Sequence, residues 1–222
     1  MAINEGQVYE EKIRSILKEK DLYPPIIKHN NDAGFIHRGV PYFIEVKNTN
    51  AHDFGQKKLI WNQIGGWQWN KKDEITDLYD GYGIIDKIKK NFIPKKFTVR
   101  NDANFKSADR EFDQTNFESG TIEIDDFTAI NRYYAKKDCY YIQIEDRGFY
   151  FLERDDAVLG GNIQPFKPRI TMRLRAKRHH RLPHYDYTFF AVLIAYPKSV
   201  FSSRYDIEPQ INKEFPPIVK DL

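Results

Sequence analysis

Cysteine is almost absent: Cys139 is the single one in a chain of 222 residues. That excludes an intramolecular disulfide and a cysteine-rich zinc site. Its setting, Cys139-Tyr140-Tyr141-Ile142, predicts a small buried hydrophobe. Long apolar runs are missing too. No stretch approaches about 18 residues, so no membrane span is expected. The opening residues carry no basic-then-apolar pattern, and a cytoplasmic location is the simplest expectation. Neither a phosphate-cradling glycine loop nor a nucleophile elbow is found, which leaves a small-molecule enzyme a distant third among function classes. Net charge is slight, at +3, and its distribution tells more than its sum.

What is present fits one substantial domain over residues 1–222, long enough to bury a real core. Residues 4–20 predict a helix, with Asn4 as N-cap and Tyr9, Ile13, Ile16 and Leu17 forming one apolar stripe. Glu10 falls at the border of that stripe and Glu11 points away. Tyr23-Pro24-Pro25 closes this region. Short strands are expected over Ile26–His29, Phe35–Arg38 and Val40–Asn48, joined by Asn/Asp/Gly turns.

The last of these strands carries the chemistry. Side chains in a strand alternate faces, so Glu45 and Lys47 point one way while Ile44 and Val46 point the other. Asp32 lies in the turn-like Asn31-Asp32-Ala33-Gly34. If that turn returns Asp32 to the same edge, two carboxylates and an ammonium converge. Paired carboxylates hold Mg²⁺ and an adjacent amine orients or helps deprotonate a water, as phosphodiester hydrolysis requires. An acid-x-Lys triplet alone is weak, since Glu10-Glu11-Lys12 satisfies it by accident. The competing reading is a solvated strand end with a surface ion pair.

Asp53–Gln63 reads as a helix capped by Asp53. Ile64–Asn70 joins a Gly-Gly pair to Trp67 and Trp69, a lid or intercalating element in one reading and two packing anchors in the favoured one. A charged stretch follows, helical near Glu74–Asn91 with an interruption at Gly81-Tyr82-Gly83. Lys87, Lys89 and Lys90 make its end basic. The polar, turn-rich segment within about 71–125 is expected to be an insertion or recognition region. A helix over Asp125–Lys136, a hairpin over Cys139–Ile144 and Phe149–Leu152, and a strand covered on both faces over Tyr187–Ala195 complete the expected core. Residues 197–222 are expected to form an extended tail that wraps a partner subunit.

Positive charge is concentrated near that last strand. Residues 167–184 hold seven Lys or Arg, three of the six histidines and no acid. Arg169, Thr171, Arg173, Arg175 and Lys177 alternate with Ile170, Met172, Leu174 and Ala176, giving a strand with one cationic face. Cationic groups at ~6.8 Å steps match a polyanion better than a small ligand. Arg178 and Arg181 extend the run into a loop. The competing reading is a charge-defended edge strand; the lack of interspersed acids favours nucleic acid.

Together, Asp32, the Glu45-Val46-Lys47 strand, the Gly6-x-x-x-Glu10 helix and a downstream glutamine resemble the PD-(D/E)xK nuclease superfamily, over roughly residues 6–63 by motif. Asn31 stands where the family's proline would precede Asp32. The size and variable middle resemble a type II restriction endonuclease. That resemblance implies a restriction-endonuclease-like αβα core with a mixed central sheet of about five strands, built from about 4–63 and 139–195. It implies a Mg²⁺-dependent homodimer cutting double-stranded DNA at a palindromic site. Asp32, Glu45 and the Val46 carbonyl would bind metal, Lys47 would position water, Glu10 would assist, and Gln56, ahead of Gln63, would contact phosphate. Two alternatives stay open: a structure-specific nuclease using the same residues, and a binding module in which the acid-Lys strand is inactive.

Overall fold

A computed structural model describes residues 5–28, 30–49, 53–62, 66–90, 95, 104–118, 123–124, 127–166, 169–178, 187–196 and 202–220. In chain order the elements are α1 (Glu5–Glu19), β1 (Ala33–His37), β2 (Val40–Lys47), β3 (Asp53–Asn62), β4 (Gly66–Trp69), α2 (Glu74–Gly81), α3 (Ile84–Lys90), α4 (Ser107–Asp113), a π turn (Gln114–Glu118), β5 (Glu123–Ile124), α5 (Thr128–Ala135), β6 (Cys139–Ile144), β7 (Gly148–Phe151), β8 (Arg169–Arg178) and β9 (Tyr187–Tyr196). The class is mixed α/β. Two compact units form: Met1–His52, Asp126–Arg169 and Tyr196–Leu222 make the first, Asp53–Asp125 and Ile170–Ala195 the second.

The first unit holds a four-stranded sheet in the order β1-β2-β6-β7. β1 and β2 pair antiparallel, from Ala33 opposite Ile44 to His37 opposite Val40. Arg38 (φ 50°) and Gly39 (φ 72°) both take the left-handed backbone that a two-residue hairpin turn needs. β2 then pairs parallel with β6, Glu45 beside Ile142 and Lys47 beside Ile144. Parallel neighbours need a long crossover; here it spans 48–138 and contains 53–125 of the second unit. β6 returns antiparallel as β7 through the expected tight turn, where Asp146 has φ 62°.

α1 buries Tyr9, Ile13 and Leu17. They pack with Ala33, Phe35, Ile44, Val46, Tyr141 and Phe149, so this helix covers the Ile44/Val46 face of the sheet. α5 packs against β6 and reaches the Glu45 face through Tyr134. Residues 26–28 form no strand, and His29 lies outside the described residues. Residues 202–220, expected to wrap a partner, lie along their own unit. Phe149 N–H donates to Tyr205 O at 2.8 Å and Arg38 N–H to Val219 O at 3.1 Å. Tyr205 and Ile207 join the core. The buried Gln143 amide donates to Tyr9 Oη (3.1 Å) and Asp206 Oδ1 (2.6 Å), and its oxygen accepts from Ile207 N–H (3.1 Å). Every polar atom of that amide is thereby satisfied in the core.

The second unit's sheet runs β4-β3-β9-β8-β5. Here the helix expected over Asp53–Gln63 is corrected: residues 53–62 are strand β3, antiparallel to β9 from Asp53 opposite Ile194 to Ile60 opposite Thr188. Gly55 takes φ 56° at a register shift between Phe54 and Lys57, which no helix accommodates. Pairing with the apolar β9 outweighs the cap-like Asp53. The expected sheet of about five strands is therefore four in the first unit, with β3 belonging to another sheet. β9 forms over Tyr187–Tyr196 as expected, but it and β8 pair in this second sheet and not in the sheet that carries Glu45 and Lys47, so the core expected over 139–195 is divided between the two units. The helical stretch breaks at Tyr82-Gly83 (Gly83 φ 67°) into α2 and α3. Trp67 and Trp69 are buried, and Trp69 Nε1–H donates to Asp80 Oδ1 at 2.6 Å. They are packing anchors; Gln63, Ile64 and Gly65 lie outside the described residues.

Candidate active site at the Asp32–Glu45–Lys47 edge

β2 outruns its β1 partner by three residues, because pairing starts at Ala33 opposite Ile44. Asp32, one step before Ala33, occupies the space beside the edge that β1 leaves open, while the other edge stays paired with β6. Its Oδ2 accepts the Val46 N–H at 2.9 Å. In a strand, a residue's N–H and C=O point to the same edge. The Val46 carbonyl therefore faces the edge where Asp32 sits, while Lys47 O faces the other way and accepts from Glu145 N–H at 2.9 Å.

Glu45 and Lys47, on one face as period-two alternation requires, form an ion pair through Glu45 Oε1; their side chains are 12% and 15% exposed. Tyr134 on α5 donates its hydroxyl to the same Oε1 at 3.2 Å. From α1, Arg14 Nε–H donates to the Asp32 carbonyl at 2.6 Å and Arg14 Nη2–H to Glu10 Oε2 at 3.1 Å. One guanidinium thus ties the first helix to the turn carrying Asp32. Glu10 is turned toward the site (24% exposed) and Glu11 to solvent (58% exposed), as the helical wheel predicts.

The electrostatics follow from this crowding. Burial, and then the Glu45 negative charge, push the Asp32 carboxyl up to about 7; Lys47 and the Val46 N–H oppose them, and Glu10 adds to the rise. Burial alone would lower Lys47, but Glu45 and Asp32, with Glu10 behind them, outweigh it and hold the ammonium above its usual value. Lys47 is thus a fixed cation at neutral pH, suited to orienting water and not to removing its proton. Burial, Glu45 and Asp32 also push the Cys139 thiol well up, so the lone cysteine is an inert core residue.

No three His, Cys, Asp or Glu side chains among the described residues converge as a complete metal-ligand set. Asp32 engages Oδ2 and Glu45 engages Oε1; among the described residues no hydrogen bond reaches Asp32 Oδ1 or Glu45 Oε2. Two carboxylates with one open oxygen each, and a strand-end carbonyl on the same edge, suit Mg²⁺, which takes one or two carboxylates and completes its shell with water and substrate oxygens.

Four of the expected residues, Asp32, Glu45, Val46 and Lys47, come together, and Glu10 acts on them through its charge. Gln56 does not join them on any contact shown: it is an exposed residue of β3, in the second unit. Arg169, Arg173, Arg175, Lys177 and Arg178 lie on β8 in the expected strand; Arg181 falls outside the described residues. Among the described residues, β5 pairs with β8 at Ile170 and Thr171. Sequence reasoning missed Arg14 and Tyr134. The i,i+4 spacing of Glu10 and Arg14 is a usable signal for the first; Tyr134 is 89 residues from Glu45 and has none.

Comparison with protein-family models, curated proteins and solved structures gave no match.

Proposed function

We propose that this chain is a Mg²⁺-dependent endonuclease that hydrolyses phosphodiester bonds in double-stranded DNA at a short, palindromic site, in the manner of a type II restriction enzyme. The observation that carries the reading is the convergence of Asp32 and Glu45, one proton-hungry and one paired, beside the Lys47 ammonium where β2 runs past β1. The Glu45 charge raises the proton affinity of the buried Asp32, and a divalent cation relieves that repulsion better than a proton. The sheet with α1 on one face and α5 on the other supports the finer assignment of a restriction-endonuclease-like αβα core.

Asp32, Glu45 and the Val46 carbonyl are the residues that would hold the ion. When bound, it supplies positive charge to the scissile phosphate and to the attacking oxygen. Lys47 orients the water and stabilises the charge that develops on the phosphorane oxygens. Glu10, held by Arg14, adds a negative charge at the border of the site. The cationic face of β8 is assigned to the DNA backbone, and a homodimer would supply one cut per strand.

The test is incubation of the purified protein with a linear phage genome, with and without Mg²⁺. Discrete Mg²⁺-dependent fragments are expected, and sequencing their ends yields the site. An unchanged genome with retained DNA binding would overturn the restriction reading. Cleavage of branched DNA alone would assign the same residues to a structure-specific nuclease, which the Gly6-x-x-x-Glu10 helix also fits.

A further inference from the structure

The strongest unassigned contact at this edge comes from α5. Tyr134 is 3% exposed, and its hydroxyl and the Lys47 ammonium converge on one atom, Glu45 Oε1. Two donors on a single carboxylate oxygen fix the carboxylate's rotation, because turning it breaks both contacts. Oε2 is then the oxygen directed away from them, and among the described residues nothing is hydrogen-bonded to it. The tyrosine is itself held firmly. Its ring meets Tyr133 edge-on at 5.3 Å. Lys137 Nζ lies over both rings, 4.2 Å from Tyr133 and 5.6 Å from Tyr134. α5 packs on β6, the parallel partner of β2, so the hydroxyl reaches Glu45 from a rigid neighbouring element.

We propose that Tyr134 is a positioning residue that keeps Glu45 Oε1 engaged and thereby presents Oε2 to a divalent cation. This rests on the reading of Asp32 and Glu45 as the cation seat. Without the hydroxyl, Lys47 is the remaining partner of Glu45 Oε1 among the described residues, and one contact fixes the carboxylate's rotation less firmly than two. The carboxylate then spends part of its time with the open oxygen turned away, and apparent cation affinity falls by that fraction. Once the ion is bound the geometry is restored, so the maximal rate is preserved. Tyr134 touches neither ion nor substrate.

Tyr134→Phe tests this, since it removes one oxygen and keeps the ring. Mg²⁺ binding is measured by calorimetry on the DNA-free full chain, and cleavage is followed across a Mg²⁺ titration. The expected result is a Mg²⁺ dissociation constant raised about 3- to 10-fold. The Mg²⁺ needed for half-maximal cleavage should rise by the same factor, with kcat at saturating Mg²⁺ within about twofold of wild type. Tyr133→Phe, the neighbouring hydroxyl, should leave the Mg²⁺ requirement unchanged. Equal Mg²⁺ affinity in Tyr134→Phe and wild type would overturn the positioning role and leave the cation seat standing. So would a kcat loss at saturating Mg²⁺ with an unchanged requirement. A wild-type chain that binds no Mg²⁺ would remove the seat itself, and this inference with it.

Discussion

Two lysine–carboxylate pairs lie close together in the sequence and are built to opposite ends. In the second unit, Lys57 pairs with Asp73. Asp73 is also the N-cap of α2: its Oδ1 accepts the N–H groups of Ile75 and Thr76 at 3.1 Å each, and Thr76 Oγ1 accepts the Asp73 N–H at 2.8 Å. Burial pushes that carboxyl up, but Lys57 and the backbone donors win and hold it below the usual range. In the first unit, Lys47 pairs with Glu45 while Asp32 is set beside the same charge, and Asp32 is pushed up to about 7. The first arrangement satisfies a carboxylate. The second brings like charges together and leaves each with an open oxygen, a state that an isolated chain has no reason to keep for stability.

The largest effect comes from removing the acid–lysine chemistry. Lys47→Ala or Asp32→Ala should reduce cleavage about a thousandfold or more while DNA binding in a gel shift is spared; binding lost equally in both would undermine the roles given to them. Next in size, Arg173→Ala with Arg175→Ala should weaken DNA binding about tenfold and flatten the slope of log affinity against log salt by about two. A slope equal to wild type would return β8 to the reading of a charge-defended edge.

The two carboxylates also differ in how they tie stability to pH. Asp32 has a folded value near 7, against about 3.9 unfolded. The native state therefore binds the extra proton between those values, and stability falls as pH rises through that window. Asp32→Asn should make the Mg²⁺-free chain more stable at pH 8 by about 1–2 kcal/mol, read as a raised Tm, while abolishing cleavage. Asp73 runs the other way. Its lowered value contributes stability above about pH 4, lost as pH falls through the folded value. Asp73→Ala should cost about 1 kcal/mol at neutral pH as a lost cap, with no gain at pH 8. A Tm unchanged or lowered by Asp32→Asn at pH 8 would mean that the acid pair is not under the repulsion its geometry implies.

Much of this was readable from local pattern. The stripe Tyr9, Ile13, Leu17 places α1, and the alternation through Ile44, Glu45, Val46 and Lys47 sets which side chains share a face. Both rest on periodicities that any isolated segment carries. The β3 segment shows the opposite case. Asp53 looks like a cap, yet pairing with β9 and the left-handed Gly55 decide for a strand, and with it Gln56 leaves its expected helix. Residues 197–222 read as an extended tail for a partner subunit, although Tyr205, Asp206 and Ile207 are buried. Their partners, Gln143 and Phe149, lie more than fifty residues away.

Helix and strand periods and turn chemistry act over a few residues, so α1, β2 and the residue types at the acid–lysine edge follow from the order of the amino acids. Tertiary structure alone decided that Asp32 meets the Val46 N–H, that Arg14 joins Glu10 to the Asp32 turn, and that Tyr134 reaches Glu45 across 89 residues. Burial and charge act through space, and the proton affinity of a carboxylate is set by neighbours that the order of the chain does not name.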